Sequence, residues 1–204
     1  MEVILDKISK RFSNKEWIFK DIEEHFLPGD RIAITGSNGS GKSTLLKTIG
    51  GMTLPSHGEI IYRSDQGTLD QDHWIDHLVF SSPYLELIED FSLLEMLTFH
   101  FQFKTMREDL SINQMIQTMY FQKQENKLIK NFSSGMKQRL KLGLCFFTKA
   151  DLLLLDEPTA NLDQTGIDWY LTQIQQLPSE CTLLIASNQS HEYSMCTRTI
   201  EMNP

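Results

Sequence analysis

A glycine-rich stretch between an apolar run and a helical pattern carries the clearest chemistry in this chain. Its residues are, in order, Gly36, Ser37, Asn38, Gly39, Ser40, Gly41, Lys42, Ser43 and Thr44. They fit Gly-x-x-x-x-Gly-Lys-Ser without a mismatch, a loop whose backbone N–H groups converge on phosphate. We expect Lys42 to reach the β- and γ-phosphates of a nucleotide and Ser43 to offer its hydroxyl to Mg²⁺. A purely structural turn is the alternative, but it explains neither the strand before the loop nor the helix after it.

Two carboxylates follow the most apolar run of the chain. Leu152 to Leu155 is typical of a strand buried on both faces of a parallel sheet, and Asp156 and Glu157 stand at its carboxyl end, where ligands bind. Asp156 suits coordination of Mg²⁺, directly or through water. Glu157 suits a base that orients and deprotonates an attacking water. The alternative is a strand that ends in a solvated acidic turn.

Two aromatic residues upstream of the loop are candidates for stacking on a nucleotide base. Phe12 lies in a polar turn, and Trp17 follows shortly after it. Either side chain could instead pack in the core. We carry forward stacking by Phe12 as a hypothesis, since aromatic stacking contributes about 1–3 kcal/mol where it occurs.

Short apolar runs separated by turn residues predict the strands that position these groups. The predicted strands are Glu2 to Ile8, Trp17 to Phe19, Arg31 to Thr35, Gly58 to Tyr62, Leu78 to Phe80, Leu152 to Leu155 and Thr182 to Ala186. A helix is predicted from the glycine-rich loop to Ile49, closed by Gly50 and Gly51. The alternation of strand and helix indicates an α/β nucleotide-binding fold.

The middle of the chain predicts an α-rich insert. Ser92 with Glu95 forms a capping box before a helix, and Ser111 with Gln114 forms a second, weaker box. The Met and Phe residues that follow at helical spacing are suited either to a core or to an adaptable surface that binds a partner.

Composition excludes several classes of protein. The 204 residues, 40% of them hydrophobic and 23% charged, suit one globular domain, and the net charge of -8 argues against a nucleic-acid partner. The three cysteines have no metal-binding spacing and indicate a reducing, cytosolic compartment. The start of the sequence lacks the pattern of a signal peptide, and no apolar run is long enough to span a bilayer. We therefore expect contact with a membrane only through a partner.

With these motifs in place, the chain resembles the ATP-binding subunits of ATP-binding-cassette (ABC) transporters over nearly its whole length. Gly36 to Thr44 matches the family's Walker A motif, Leu152 to Glu157 its Walker B motif and catalytic glutamate, and Ala160 to Asp163 its D-loop. The resemblance implies a P-loop NTPase, RecA-like parallel sheet core with a small antiparallel β part and an α-helical insert. We expect a single domain over residues 1–204, with the core at about 1–83 and 150–204 and the insert at about 84–149.

The discriminating match is a signature motif after the insert. Phe132 to Gln138 is similar to the family's LSGGQ signature, with Ser134 for the first glycine and Met136 for the glutamine. The resemblance implies that two copies close head to tail, so that Ser133, Ser134 and Gly135 bind the ATP held by the partner's Walker A motif. A helix start suits this role because its N–H groups and dipole favour a γ-phosphate.

The resemblance also implies cofactors and partners. ATP and Mg²⁺ are expected, as are a separate membrane permease and an ATP-dependent dimer, either with a second copy or with another ABC subunit. The form of the signature is similar to that of exporter-type ATPases, so the expected function is ATP hydrolysis that powers export. The expected location is the cytoplasmic face of the cell membrane, through the permease.

Two departures from the family pattern leave alternatives open. Asn188 stands where the family has a switch histidine; we assign Asn188 a catalytic place, although an amide cannot carry charge or a proton. The glutamine of the Q-loop is missing, because the expected place holds Ser82 and Pro83, and Gln71 comes too early. A weakly hydrolytic or non-hydrolytic ATP-gated scaffold is therefore the second hypothesis. A P-loop kinase is a third, but it gives no reason for the signature.

Overall fold

The computed structural model describes residues 1–13, 16–65, 67–70, 73–108 and 110–202, and this part of the chain divides into two compact units. The first unit comprises Met1–Phe80, Ala150–Glu157 and Pro178–Pro204; the second comprises Ser81–Lys149 and Pro158–Leu177. The predicted helical insert thus lies in the second unit, together with residues 158–177, which we had expected in the core. That all of this forms a single domain stays a prediction.

Nine strands occur in the described residues and form two sheets. They are β1 (Glu2–Lys10), β2 (Phe19–Phe26), β3 (Arg31–Thr35), β4 (His57–Ser64), β5 (Gly67–Thr68), β6 (Leu78–Ser81), β7 (Leu152–Asp156), β8 (Thr182–Ala186) and β9 (Arg198–Glu201). The antiparallel sheet has the order β2-β1-β4-β5, and the second sheet has the order β6-β7-β8-β3-β9. The predicted combination of a parallel core with a small antiparallel part is confirmed.

The register of the parallel strands determines where the candidate site residues meet. Every residue of β7 and β8 is buried, as the apolar runs predict for strands covered on both faces. Asp156 pairs with Ala186, and Ala186 pairs with Ile34 on the other side. Because these strands run parallel, the loops that begin after them all emerge at one edge of the sheet.

The described residues also form five α-helices, besides three short 3₁₀ helices. They are α1 (Lys42–Ile49), α2 (Leu93–Phe103), α3 (Ile112–Thr118), α4 (Ser134–Phe146) and α5 (Gln164–Gln175). In the first unit, α1 buries Leu45, Leu46 and Ile49 completely in the same hydrophobic cluster as Leu154 and Leu184. This apolar contact holds the start of α1 beside the carboxyl ends of the strands.

Both predicted capping boxes are present in the second unit. The Ser92 hydroxyl accepts a hydrogen bond from the Glu95 N–H, and the Glu95 carboxylate accepts one from the Ser92 N–H; Ser111 and Gln114 repeat the arrangement. The apolar stripe of α2 is divided, however. Its Met96 is buried, whereas Phe103 is 69% exposed.

Three β segments differ from the sequence prediction, and one of them is the two-residue strand β5, which lies where a polar loop was expected. The strand expected at Trp17 to Phe19 begins only at Phe19 and continues to Phe26, since it pairs along its length with β1. The edge strand β9 was not predicted, because three of its four residues are exposed and its sequence has no apolar run. Among the described residues, no helix is both long and apolar enough to cross a membrane.

His100 makes the stability of the second unit depend on pH. Burial, together with the smaller effect of the charge of Lys104, lowers the pKa of His100 to about 4. Its Nε2 atom lies 2.8 Å from the Thr148 hydroxyl. The unfolded chain keeps a histidine pKa near 6.5 and therefore binds the additional proton between about pH 6.5 and 4. The free energy of unfolding falls as the pH falls through that window.

We predict that His100→Gln, which keeps a hydrogen-bonding group near Thr148, flattens the pH dependence of stability. Urea unfolding between pH 7 and pH 4 measures it, with His25→Gln, at an exposed position, as the matched control. As the pH falls from 7 to 4, the unfolding free energy of wild type should fall more than that of His100→Gln. Parallel pH profiles for the two proteins would contradict the prediction.

Candidate functional site

The glycine-rich loop leaves β3 and enters α1 at one edge of the parallel sheet. Gly41 is the N-cap of α1 with φ 97°, and a Cβ there would lie 2.6 Å from a side-chain carbon of Ile18. Gly36 has φ 138° and would direct a Cβ into the carbonyl of Met202. Two of the three glycines are thus required both by backbone conformation and by close contacts.

The Lys42 ammonium is held over the loop. Its Nζ atom donates to the carbonyl of Gly36 at 2.7 Å and to that of Ser37 at 3.0 Å, and the residue is 6% exposed. A lysine has three N–H donors. Two of them fix the ammonium in place, which leaves the third for an oxygen of a bound anion.

Ser43, in the first turn of α1, contacts Asp156 at the carboxyl end of β7. The Ser43 hydroxyl donates to the Asp156 carboxylate at 2.8 Å, and Asp156 is 2% exposed. Burial raises the pKa of Asp156 above its ordinary value, while the hydrogen bond from Ser43 opposes that shift. A hydroxyl beside a buried carboxylate fits Mg²⁺, which takes oxygen ligands and keeps several waters.

Glu157 is exposed at the end of β7 and has an unusual backbone conformation. Its φ is 43°, in the left-handed region, and its N–H donates to the carbonyl of Ala186 at 2.9 Å. Such a conformation costs a non-glycine residue about 1–3 kcal/mol and is concentrated at functional sites. The sequence predicted the carboxylate but gave no sign of the backbone strain.

Asn188 contacts the glycine-rich loop directly. Its Nδ2 atom donates to Oδ1 of Asn38 at 2.8 Å, and both residues are exposed. The structure therefore places Asn188 beside the glycine-rich loop with Asn38 as its partner, while its catalytic role stays a prediction. No local signal in the sequence could have found that partner, since 150 positions separate the two residues.

Phe12 is 72% exposed, with the ammonium of Lys10 at 4.9 Å from the centre of its ring. Trp17 is 38% exposed and contacts the Arg11 guanidinium and the His57 ring. The interpretation of Phe12 as a core residue is wrong, because most of its ring meets solvent. Stacking of Phe12 on a base stays a prediction.

The signature residues lie in the second unit at the start of α4, as expected. Ser133 is the N-cap, and its hydroxyl accepts a hydrogen bond from the Met136 N–H at 3.2 Å. Ser134 and Gly135 form the first turn, whose N–H groups have no carbonyl partner within the helix. These N–H groups are the donors that can bind an anion.

The same helix lies close to the D-loop, and to Pro158 just before that loop, at three places. Gln138 Nε2 donates to the carbonyl of Pro158 at 2.8 Å, and Arg139 lies 3.6 Å from the Asp163 carboxylate. A Cβ at Gly135 would lie 2.9 Å from the carbonyl oxygen of Asn161. The sequence showed both motifs but not this attachment, which depends on the packing of two distant segments.

Where the family has the Q-loop glutamine, this chain has Ser82 and Pro83, whose backbone carbonyls accept hydrogen bonds from a lysine. Lys141 donates to the carbonyls of Ser82 and Pro83 at 2.9 and 2.8 Å. Burial lowers the pKa of Lys141, and the charge of Lys137 lowers it further. Gln71, the early alternative, lies outside the described residues.

Comparison with known proteins gives a family match and several relatives. Residues 19–160 match the family model described as ABC transporter. An uncharacterized ABC transporter ATP-binding protein of Bacillus subtilis, YcbN, is 30% identical over 195 residues, covering 95% of this chain and 63% of that protein. The chain therefore spans less than two thirds of that relative. The cytochrome c biogenesis ATP-binding export protein CcmA of Sodalis glossinidius is 31% identical, covering 73% of this chain and 71% of its own.

Solved structures share the fold. The dimeric ATP-binding cassette MJ0796, in a post-hydrolysis state bound to ADP and Pi, has a TM-score of 0.81 at 22% identity. The superposition covers 98% of this chain and 94% of that one. At this identity the likeness bears on the fold alone.

Proposed function

The chain belongs to the ABC transporter family and is an ATPase domain of that family, and from this premise we propose that it hydrolyses ATP to power a separate membrane permease. The observation that supports the proposal best is the contact of Ser43 with the buried Asp156 beside a fixed Lys42. Burying a carboxylate next to a hydroxyl does little for stability, whereas it suits a metal–phosphate site.

The phosphate loop supplies the binding of ATP. Its N–H groups and the N-terminus of α1 face the phosphates, and the fixed Lys42 ammonium neutralises charge on the β- and γ-phosphates. Ser43 and Asp156 would hold Mg²⁺, which neutralises phosphate charge when bound. Phe12 is proposed to cover the base, since its ring is exposed in the same unit.

Hydrolysis needs a base and a group that orients the γ-phosphate or the water. Glu157 is proposed as the base, and its strained backbone holds the carboxylate at the edge where Asp156 ends the strand. Asn188 is proposed to donate a hydrogen bond that positions the γ-phosphate. Positioning and electrostatic stabilisation are the main contributions to phosphoryl transfer, so an amide in the histidine's place is compatible with turnover.

The second nucleotide contact is proposed to come from a partner's signature. Ser133 caps α4 by accepting a hydrogen bond from the Met136 N–H and leaves the N–H groups of Ser134 and Gly135 for the γ-phosphate across the interface. The partner is a second copy or another ABC subunit. Each ATP is then bound between one copy's phosphate loop and the other's signature.

We predict that ATP together with Glu157→Gln yields a dimer in light scattering, and that adding Ser133→Arg returns the protein to monomer. Arginine opposes the helix dipole by about 1 kcal/mol and obstructs the first turn of α4. Ser111→Arg is the matched control, because Ser111 is also the N-cap of a helix in the same unit. A dimer that survives Ser133→Arg, or one that Ser111→Arg abolishes equally, would refute the sandwich.

A second candidate function is an ATP-gated scaffold with slow or no hydrolysis. It is favoured by Asn188, which cannot carry charge or a proton. Steady-state phosphate release separates the two candidates, with Glu157→Gln as the blank. If wild type releases phosphate no faster than Glu157→Gln, even in the presence of the permease, the scaffold hypothesis is favoured over the transport ATPase.

The permease is proposed as the route to the membrane, at its cytoplasmic face. Phe99 and Phe103, in edge-to-face contact and partly exposed on α2, support a surface that binds a partner. The matched relatives include proteins named for export and for import, so their names do not favour one direction of transport. Export is therefore proposed from the form of the signature alone. Purification from membranes, with identification of the bound protein, tests both the partner and the direction.

A further inference from the structure

The exposed amide side chains of Asn38, in the phosphate loop, and Asn188 are in contact. Asn188 Nδ2 donates to Asn38 Oδ1 at 2.8 Å, across a sequence separation of 150 residues. Water can satisfy both amides, so the bond adds little to folding stability. Its effect is to fix the orientation of one side chain relative to the other.

The backbone on either side is already fixed without this bond. On the loop side, the Ser40 N–H donates to the carbonyl of Ser37 at 3.1 Å and closes the turn that carries Asn38. On the other side, the Ser187 N–H donates to the carbonyl of Ile34 at 3.1 Å, and the Ser187 hydroxyl accepts from the Gln189 N–H at 2.8 Å. Only the side-chain torsions of Asn188 are left for Asn38 to set.

An asparagine needs such a partner more than other residues do. The terminal torsion of its side chain is broad, so the amide plane has no strong intrinsic preference. Once Asn38 Oδ1 binds one hydrogen of Asn188 Nδ2, the directions of the other hydrogen and of Oδ1 are fixed, because the amide is planar.

We infer that Asn38 is a positioning residue for hydrolysis: it orients Asn188 so that the second Nδ2 hydrogen is directed to the γ-phosphate. The inference rests on the proposed role of Asn188 in turnover. Asn38 acts through Asn188, and its side chain contributes little to the binding of ATP.

The test is a double-mutant cycle on ATP hydrolysis. We expect Asn38→Ala to lower kcat about fivefold while KM for ATP changes less than about twofold. In an Asn188→Ala background, Asn38→Ala should lower kcat no further, since the side chain that it orients is gone. Gln189→Ala, an exposed neighbour in the same loop, is the control and should leave kcat unchanged.

A conservative variant adds a readout that a general loosening of the loop would not produce. Asn38→Asp keeps an acceptor for Asn188 and adds a negative charge beside the phosphates. We expect kcat near that of wild type with a raised KM for ATP. A fall in kcat equal to that of Asn38→Ala would overturn the inference.

The remaining outcomes separate the inference from the proposed function. If Asn188→Ala lowers kcat and Asn38→Ala does not, the inference fails while the role of Asn188 stands. An equal effect of Asn38→Ala in both backgrounds also overturns it, since Asn38 then acts on the phosphate loop itself. If Asn188→Ala leaves kcat unchanged, the proposed role of Asn188 fails and the inference fails with it, while ATP hydrolysis stands. If wild type shows no turnover above Glu157→Gln, the proposed function fails as well.

Discussion

Lys42→Ala is expected to abolish ATP binding and to leave the chain folded. The variant loses an ammonium that the carbonyls of Gly36 and Ser37 hold over the loop, and with it the remaining N–H donor and the positive charge that face the phosphates. A hydrogen bond to a charged group contributes about 1.5–3 kcal/mol, so loss of this bond alone should lower the affinity for ATP about ten- to a hundredfold, and loss of the positive charge lowers it further. Titration calorimetry with ATP measures the loss.

Folding of the Lys42→Ala variant is checked separately. Two carbonyls lose their donor, which costs about 1–3 kcal/mol when no water replaces it, so the thermal midpoint should fall without loss of the cooperative transition. Lys20→Ala is the matched control, because it removes the same charge from an exposed site in the same unit. Equal affinity for ATP in wild type and Lys42→Ala would show that Lys42 does not bind the phosphates.

Glu157→Gln is expected to stop turnover and to keep the affinity for ATP. Glutamine has nearly the same shape and can still hydrogen-bond to water, but it cannot accept a proton. General-base catalysis contributes about 10²–10⁴-fold, and phosphate release should fall by a factor in that range. The backbone contact of residue 157 with Ala186 involves only main-chain atoms and is retained.

Two measurements are needed for Glu157→Gln. Phosphate release reports turnover, and competition with a fluorescent nucleotide reports affinity; only the first should change. Glu59→Gln, on an exposed strand position of the same unit, controls for the loss of one negative charge. Unchanged phosphate release would remove Glu157 from the catalytic machinery, whereas a large loss of affinity would reassign it to binding.

The elements that the sequence predicted best are those with strong local signals. The phosphate loop and α1 follow from a pattern of glycines, a lysine and a serine, and α1 ends at Ile49 as predicted. Strand β8, from Thr182 to Ala186, follows from an apolar run in a parallel sheet. The box of Ser92 and Glu95 marks the start of α2 to the residue.

The features that the sequence could not show depend on contacts between distant segments. Strand β2 is stabilised by pairing with β1 and not by its own alternating pattern, so its length was missed. The bond between Asn38 and Asn188 joins two loops from different ends of the chain. The left-handed backbone of Glu157 is maintained by Ala186, and local propensity disfavours it.

The attachment of α4 to the D-loop has a consequence for how relatives of this chain can diverge. A side chain at position 135 fits only if the Asn161 carbonyl moves away by a few tenths of an ångström or more, and Asn161 itself has φ 64°. A relative with a side chain at position 135 must therefore have a different backbone conformation at position 161. Substitutions at the two positions are expected to covary across descendants of a common ancestor, although 26 positions separate them in the chain.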